Sequence, residues 1–507
     1  MQRPRLLHRA ATAGLALLLA VLVLPAVPNV GAGSPVRAAT EIRPRIPGIA
    51  PLSHEVFGYL PYWRLDSNTA GRIDYRLVST IAFFGIGIFG TGALDRDWVG
   101  YREYVGADAA AVTNAAHDQG VRVVPTFQLF DTADGAPRMT KFLDSTANQD
   151  RFIAEALDLM AARKADGASL DFEPVKAVNA RAAKYVAFVA RFRAAMKARF
   201  PDSTLVNATS AGANQTTVEG LVPYVDRQMI MTYNYRWSGS ARAGAIAPLD
   251  NTTRTVKIHT AKMLQWAPAG RILMGVPYYG YDWPVTSTEP NATVQADKAT
   301  YGPVKSVTYA SARDFLAARP EVVRQYDALE GSGFYTYWSA KDGTYRQVYF
   351  EEERSLAAKY DYAIATGLAG VGIWTLGNDG TYPELRDVLR SKFYAPIRQI
   401  SVGGRIADVL RRSGDVYAVV KVRARETGTI PERGAFRWTI RDASGRLIKY
   451  GSWPRETLYP GRLATHRVTV RLGTASALRA GTWTFRVRFI TSATTWRSPV
   501  IEFRQPY

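Results

Sequence analysis

The chain has 507 residues, 64 Lys and Arg against 44 Asp and Glu for a net charge of +20, and 47% hydrophobic content. That is more than one ordinary domain holds, and too apolar for a disordered or low-complexity chain. Cysteine is absent, which excludes a disulfide framework, a lipid-modified Cys and any thiolate metal site. At the start, Arg3, Arg5 and Arg9 precede an uncharged Leu/Val/Ala-rich run through Leu24 that Pro25 interrupts, with small residues around Ala32 and Gly33. This pattern predicts a secretory signal over residues 1–39. Pro25, Pro28 and Asn29 hold the apolar stretch below the ~20 residues a span needs, so cleavage is expected rather than stable membrane insertion. A secreted or wall-associated bacterial protein, acting as a monomer, is the expectation.

A Pro-rich linker, residues 40–54, leads into short β-branched or aromatic runs that alternate with longer helical patterns. Strands are predicted at Val56–Tyr62, Thr80–Gly85, Val121–Phe127, Ala168–Phe172, Thr204–Ala208, Gln228–Tyr233, Ile272–Pro277 and Gly370–Trp374. Helix-like segments such as Phe152–Arg163, Ala180–Arg199, Thr252–Trp266 and Glu352–Thr366 fall between them. Eight such units imply an α/β fold, a (β/α)8 TIM barrel over residues 55–395. An open doubly wound sheet would need a Gly-rich phosphate turn after its first strand, and Gly58-Tyr59-Leu60-Pro61 is not one.

Between the seventh and eighth strands, Asp282–Tyr349 is rich in Thr, Tyr, Gly and Pro and predicts a small β-rich insert walling one side of a cleft. From residue 400 to 507 the pattern becomes alternating, as in Val416–Val422 and Trp483–Phe489, which predicts an all-β sandwich. This tail holds 20 Lys and Arg against 7 Asp and Glu, so about +13 of the +20 sits there.

In Asp166-Gly167-Ala168-Ser169-Leu170-Asp171-Phe172-Glu173, strand alternation puts Ser169, Asp171 and Glu173 on one face and Leu170 and Phe172 on the other. The apolar pair should meet the helices. The polar trio then points into the barrel, with Glu173 at the carboxyl end where barrel active sites lie. Two carboxylates about 7 Å apart on a buried face repel and are desolvated, which raises at least one pKa and keeps a proton available near neutral pH. The plainer alternative is that both pair with nearby Lys or Arg. The five histidines, His8, His54, His117, His259 and His466, show no paired ligand spacing, so neither metal nor cofactor is expected.

The segment resembles the fourth-strand motif of glycoside hydrolase family 18, D-G-x-x-x-D-[WF]-E, which Asp166, Gly167, Asp171, Phe172 and Glu173 match. Phe57-Gly58-Tyr59, Ala82-Phe83-Phe84, Met231-Thr232-Tyr233-Asn234 and Gly370–Trp374 resemble the family's first, second, sixth and eighth strands. Met274–Trp283 is similar to the seventh strand of bacterial members, spore and cell-wall hydrolases included. The resemblance spans residues 55–395 and implies hydrolysis of N-acetylglucosamine polymers such as chitin or chitooligosaccharides.

Because both carboxylates lie on one strand and one face, they cannot flank a glycosidic bond as an acid and a nucleophile do. In the family the nucleophile is the substrate's own acetamide oxygen, which forms an oxazolinium ion with retention of configuration. The resemblance then makes Glu173 the proton donor and later the base for water. Asp171 orients the acetamide N–H, and the Tyr233 hydroxyl bonds the acetamide oxygen. Trp374 is implied as the aromatic floor under the sugar, Tyr59 as a wall of the same pocket, and Met231, Asn234 and Phe83 as further substrate contacts, with Asp166 and Ser169 supporting. Barrel core is the competing role for the aromatics.

Two positions depart from many chitinases. Ser169 stands in place of a further Asp, so Asp171 shares a proton with Glu173 or stays ionised. Asn234 replaces an Asp after the tyrosine, keeping a hydrogen-bonding group while removing a charge. Peptidoglycan cleavage at N-acetylglucosamine is the second reading, favoured by Asp-Phe-Glu and Tyr-Gly-Tyr-Asp-Trp. A catalytically silent lectin is the rival of another class, against which the intact Glu173 stands. The tail, with Trp438, Trp453, Trp483 and Trp496, has a cell-wall polymer as its candidate partner; core packing is the simpler role for its tryptophans. Its charge is spread along strands without a nucleic-acid reading motif, so nucleic acid is not expected.

Overall fold

Eight short strands, buried along most of their length, close on one another in the computed structural model, which describes residues 41–46, 52–131, 137–173, 180–395, 398–428, 431–459, 462–492 and 494–506. The expected signal segment lies outside the described residues. The barrel strands are β1 (Glu55–Pro61), β2 (Thr80–Gly87), β3 (Arg122–Phe130), β4 (Gly167–Glu173), β5 (Thr204–Ser210), β6 (Arg227–Met231) and β7 (Ile272–Pro277), closed by β13 (Gly370–Trp374) after an insert. Their order around the barrel is β1-β13-β7-β6-β5-β4-β3-β2, and every pairing is parallel. This is a TIM barrel with flanking helices.

Lumen and outer wall have separate cores. Phe57, Tyr59, Ala82, Phe84, Val124, Val206, Met229 and Leu273 fill the lumen. Residues of the opposite parity, such as Leu60, Phe83, Leu170 and Phe172, pack outward on the helices. Behind β4, Phe172 stacks on Phe188 of the helix Ala182–Arg199 at a centroid separation of 5.6 Å, within a cluster that includes Phe142 and Phe152. Ser145 caps the helix Thr146–Ala162, and Glu352 with Ser355 forms a capping box for Glu353–Ala365, so these helices start where polar side chains satisfy their free amides.

The insert begins as soon as β7 ends. Strands β8 (Tyr279–Val285), β9 (Lys305–Thr308), β10 (Gln325–Asp327), β11 (Ser332–Ser339) and β12 (Thr344–Phe350) form an antiparallel sheet in the order β10-β11-β12-β8-β9. Tyr-Gly-Tyr-Asp-Trp, within the segment similar to the seventh strand of bacterial family members, lies instead on β8 as part of the insert. Arg346 and Asp282 form a buried ion pair at 2.8 Å on this sheet, and Tyr337 donates to the other oxygen of Asp282 at 3.0 Å.

The tail is antiparallel throughout. Strands β14 (Ile400–Arg412), β15 (Asp415–Glu426) and β19 (Leu463–Thr474) make one sheet. A second contains β16 (Glu432–Arg441), β17 (Leu447–Ser452), β18 (Glu456–Leu458), β20 (Gly481–Ile490), β21 (Thr495–Arg497) and β22 (Ile501–Gln505). Alternate residues of both, including Val416, Val420, Phe436, Trp438, Trp483 and Phe489, share one core.

Candidate active site

The fourth strand carries the centre. Its helix-facing residues Ala168, Leu170 and Phe172 belong to the outer core, so alternation turns Ser169, Asp171 and Glu173 into the lumen. Gly167 opens the strand at φ 155°, where a Cβ would lie 1.9 Å from the Thr204 carbonyl oxygen of β5. No other residue type fits there. Just before it, Asp166 accepts from Arg45 at 2.8 Å, the Val123 amide at 2.8 Å and His117 at 3.0 Å. That places Asp166 at the amino-terminal end of the barrel, roughly 20 Å of strand from Glu173. Its action on the site is confined to anchoring β4.

Asp171 is 5% exposed and Ser169 fully buried, while Glu173, last on the strand, is partly open to solvent. Neither carboxylate takes part in an ion pair among the described residues, and Asp171 Oδ1 has no hydrogen-bond partner among them. Burial, reinforced by the negative charge of Glu173, raises Asp171 well above the usual carboxylate range. Burial alone pushes Glu173 up to about 7. The pair therefore keeps a proton near neutrality, and the alternative of a salt-bridged Asp171 and Glu173 is not what the geometry shows.

The Tyr59 hydroxyl lies 3.5 Å from Ser169 Oγ, and burial beside the two carboxylates raises its pKa further. Its ring meets Trp374 edge-on at 5.4 Å, and Trp374 meets Phe84 at 4.6 Å. Trp374 is partly exposed.

β6 stops at Met231 instead of running on to Tyr233. Thr232 donates its hydroxyl to the Gly275 carbonyl at 2.7 Å, and Asn234 adopts a left-handed φ of 64°, so the chain turns away from the sheet. Tyr233 is thereby presented at the rim. Its hydroxyl stays protonated, raised by burial and by Tyr59, Tyr279, Asp171 and Glu173 around it. A Cβ on Gly275 would come within 2.9 Å of its ring. Asn234 Oδ1 accepts from the Tyr281 hydroxyl at 3.0 Å, joining the turn to β8 of the insert. Met231 packs on the lumen core and lines a small cavity with Glu173 and Ala208.

Phe83 is a correction. Expected at the substrate, it points to the helices, 5.4 Å from the ring of Tyr104, and its neighbour Phe84 faces the lumen. Three further residues at the cleft escaped the sequence reading. Trp63 and Trp98, 47% and 41% exposed, form with Tyr62 and Phe84 an edge-to-face aromatic strip leading to Trp374. Gln128 pairs with Asp171 in the register of β3 and β4, and its Oε1 is buried with no partner among the described residues. A polar residue in a strand otherwise this apolar was its signal. No group of three or more His, Asp or Glu among the described residues is arranged to hold a metal ion.

Residues 132–379 match the sequence profile of glycosyl hydrolases family 18. The chain is 26% identical over 241 residues to the cortical fragment-lytic enzyme of Bacillus anthracis, covering 45% of this chain and 50% of that protein. It is 22% identical over 388 residues to chitinase A1 of Niallia circulans, covering 69% and 52%. In these two the match spans about half of the relative's length. Among solved structures, a Cycas revoluta family 18 chitinase in complex with (GlcNAc)3 superposes with a TM-score of 0.58 at 16% identity, over 67% of this chain and 99% of that one. The likeness is one of fold.

Proposed function

We propose, from the premise that the barrel is that of a chitinase-like glycoside hydrolase of family 18, that it hydrolyses β-1,4 linkages in N-acetylglucosamine polymers, chitin or chitooligosaccharides, with retention. The observation that carries this reading is the Asp171–Glu173 pair at the carboxyl end of β4, in no ion pair among the described residues, with burial raising both carboxyls. Glu173, at the rim, donates that proton to the glycosidic oxygen. Asp171 lies deeper, and its open Oδ1 accepts the acetamide N–H, so the acetamide oxygen is aimed at the anomeric carbon. The Tyr233 hydroxyl donates to the same acetamide oxygen and steadies the charge that develops there. Glu173, now ionised, then takes a proton from the water that opens the oxazolinium ion. Trp374 floors the reacting sugar, with Tyr59, Met231 and Asn234 about it.

The same centre serves an N-acetylglucosaminidase acting on peptidoglycan, which the name of the Bacillus anthracis relative favours. Either substrate places the protein outside the cell, as the predicted signal does. Incubation with chitotetraose and with muropeptides, beside a Glu173→Gln variant, separates the readings by which substrate yields product. Cleavage of neither by the parent protein favours the lectin. Undiminished cleavage by the variant removes Glu173 from its role.

A further inference from the structure

Arginines stand directly abreast on the outer face of the tail's six-stranded sheet. Arg437 of β16 is the cross-strand partner of Arg488 of β20, and Arg488 is in turn the partner of Arg497 of β21. Their neighbours Phe436, Trp438, Val487 and Phe489 point into the sandwich core, so the three guanidinium groups face solvent together. Strands ~4.8 Å apart put the row across ~10 Å. Like charges directly opposite each other weaken a sheet. Among the described residues the tail's ion pairs are Arg398–Glu432, Arg446–Asp442, His466–Glu456 and Arg471–Asp415, none of which involves the row. Glu502, opposite Thr484, is the acid on this face among the described strand residues.

We propose that this face binds a linear polyol phosphate polymer, not a nucleic acid, laid across the strands so that successive phosphates meet Arg497, Arg488 and Arg437. Arginine supplies 18 of the tail's 20 cationic side chains. The guanidinium fork grips a phosphate through two parallel hydrogen bonds, where a lysine offers a point charge. Arg486 pairs with Thr439 on the same face and extends the row toward Tyr450, which is 73% exposed and opposite Thr439 on the other side. A polyuronate would interpose a sugar ring at every charge and call for several aromatic platforms; Tyr450 is the exposed aromatic this face offers among the described residues.

The test uses the full chain on immobilised poly(glycerol phosphate) at about 0.15 M salt. Binding is expected, weakening steeply with added salt. An Arg437→Gln, Arg488→Gln, Arg497→Gln triple variant should lose roughly tenfold or more in affinity, with the log–log salt slope shallower by about two. Its melting temperature should hold or rise, since the repulsion is relieved, and its hydrolytic activity should not change. An Arg102→Gln, Lys298→Gln, Lys341→Gln variant removes the same charge from the barrel surface and should bind as the parent does. The proposal is overturned by no binding, by a triple variant that binds as tightly as the parent, or by an equal loss in the barrel variant. Equally tight binding to polygalacturonate also overturns it.

Discussion

Asp171 and Glu173 sit two residues apart on one strand face, and their burial sets the pH behaviour of the site. As the proposed proton donor Glu173 works only while protonated, so kcat/KM should fall as pH rises through about 7, with the limb read from a rate profile on chitotetraose. Stability carries the same signature with a definite sign. An acid whose folded pKa lies above its unfolded value of about 4.3 is favoured in the fold at low pH, and the fold loses stability as pH climbs toward the folded pKa. Glu173→Gln should therefore melt above the parent, by a margin that widens from pH 5 to pH 8 in paired melting curves. The same variant should lose roughly 100-fold or more in kcat while still retaining chitooligosaccharide. Tyr233→Phe removes the hydroxyl without the ring and should cost kcat more than KM.

At the scale of elements, the insert is held by a charge pair. Arg346 and Asp282 are both buried, and Arg346 also donates to the Asp282 and Pro303 carbonyls at 3.0 and 2.9 Å. Arg346→Ala strands a buried carboxylate and should cost about 3–5 kcal/mol in urea unfolding. It should also raise KM, because β8 carries Tyr281, the partner of Asn234. How far these elements were readable in the sequence follows from what each strand faces. β4 alternates apolar with polar residues, so its lumen face, with Ser169, Asp171 and Glu173, was legible in the sequence. β2 reads Thr-Ile-Ala-Phe-Phe-Gly-Ile-Gly and is buried on both faces, so nothing in it tells Phe83 from Phe84. β6 ends two residues before its predicted end at Tyr233 because that end depends on a bond from Thr232 to another strand and on the backbone of Asn234, neither written in hydrophobic pattern. Trp63 and Trp98 lie beyond strand ends, where periodicity is silent.

Across the whole molecule, the barrel and the tail bury separate cores, one around the lumen and helices and one between the tail's two sheets. A chain ending at residue 399 should thus keep its chitotetraose kcat and unfold cooperatively, checked by kinetics and calorimetry. Alternation and net charge both change near residue 400. Neither change separates core from surface among the tryptophans; Trp438 and Trp483 are core, and Trp453 and Trp496 are partly buried against it. No helix among the described residues is long and apolar enough to cross a membrane.

Hydrolysis by the proposed route needs an amide supplied by the substrate beside a carboxylic acid supplied by β4. The most direct measurement compares turnover of chitotetraose with that of its fully de-N-acetylated counterpart, following the anomer released by nuclear magnetic resonance. Cleavage of the acetylated tetramer to the β-anomer, with the deacetylated one untouched, is the predicted result. Equal turnover of both, or release of the α-anomer, would contradict it.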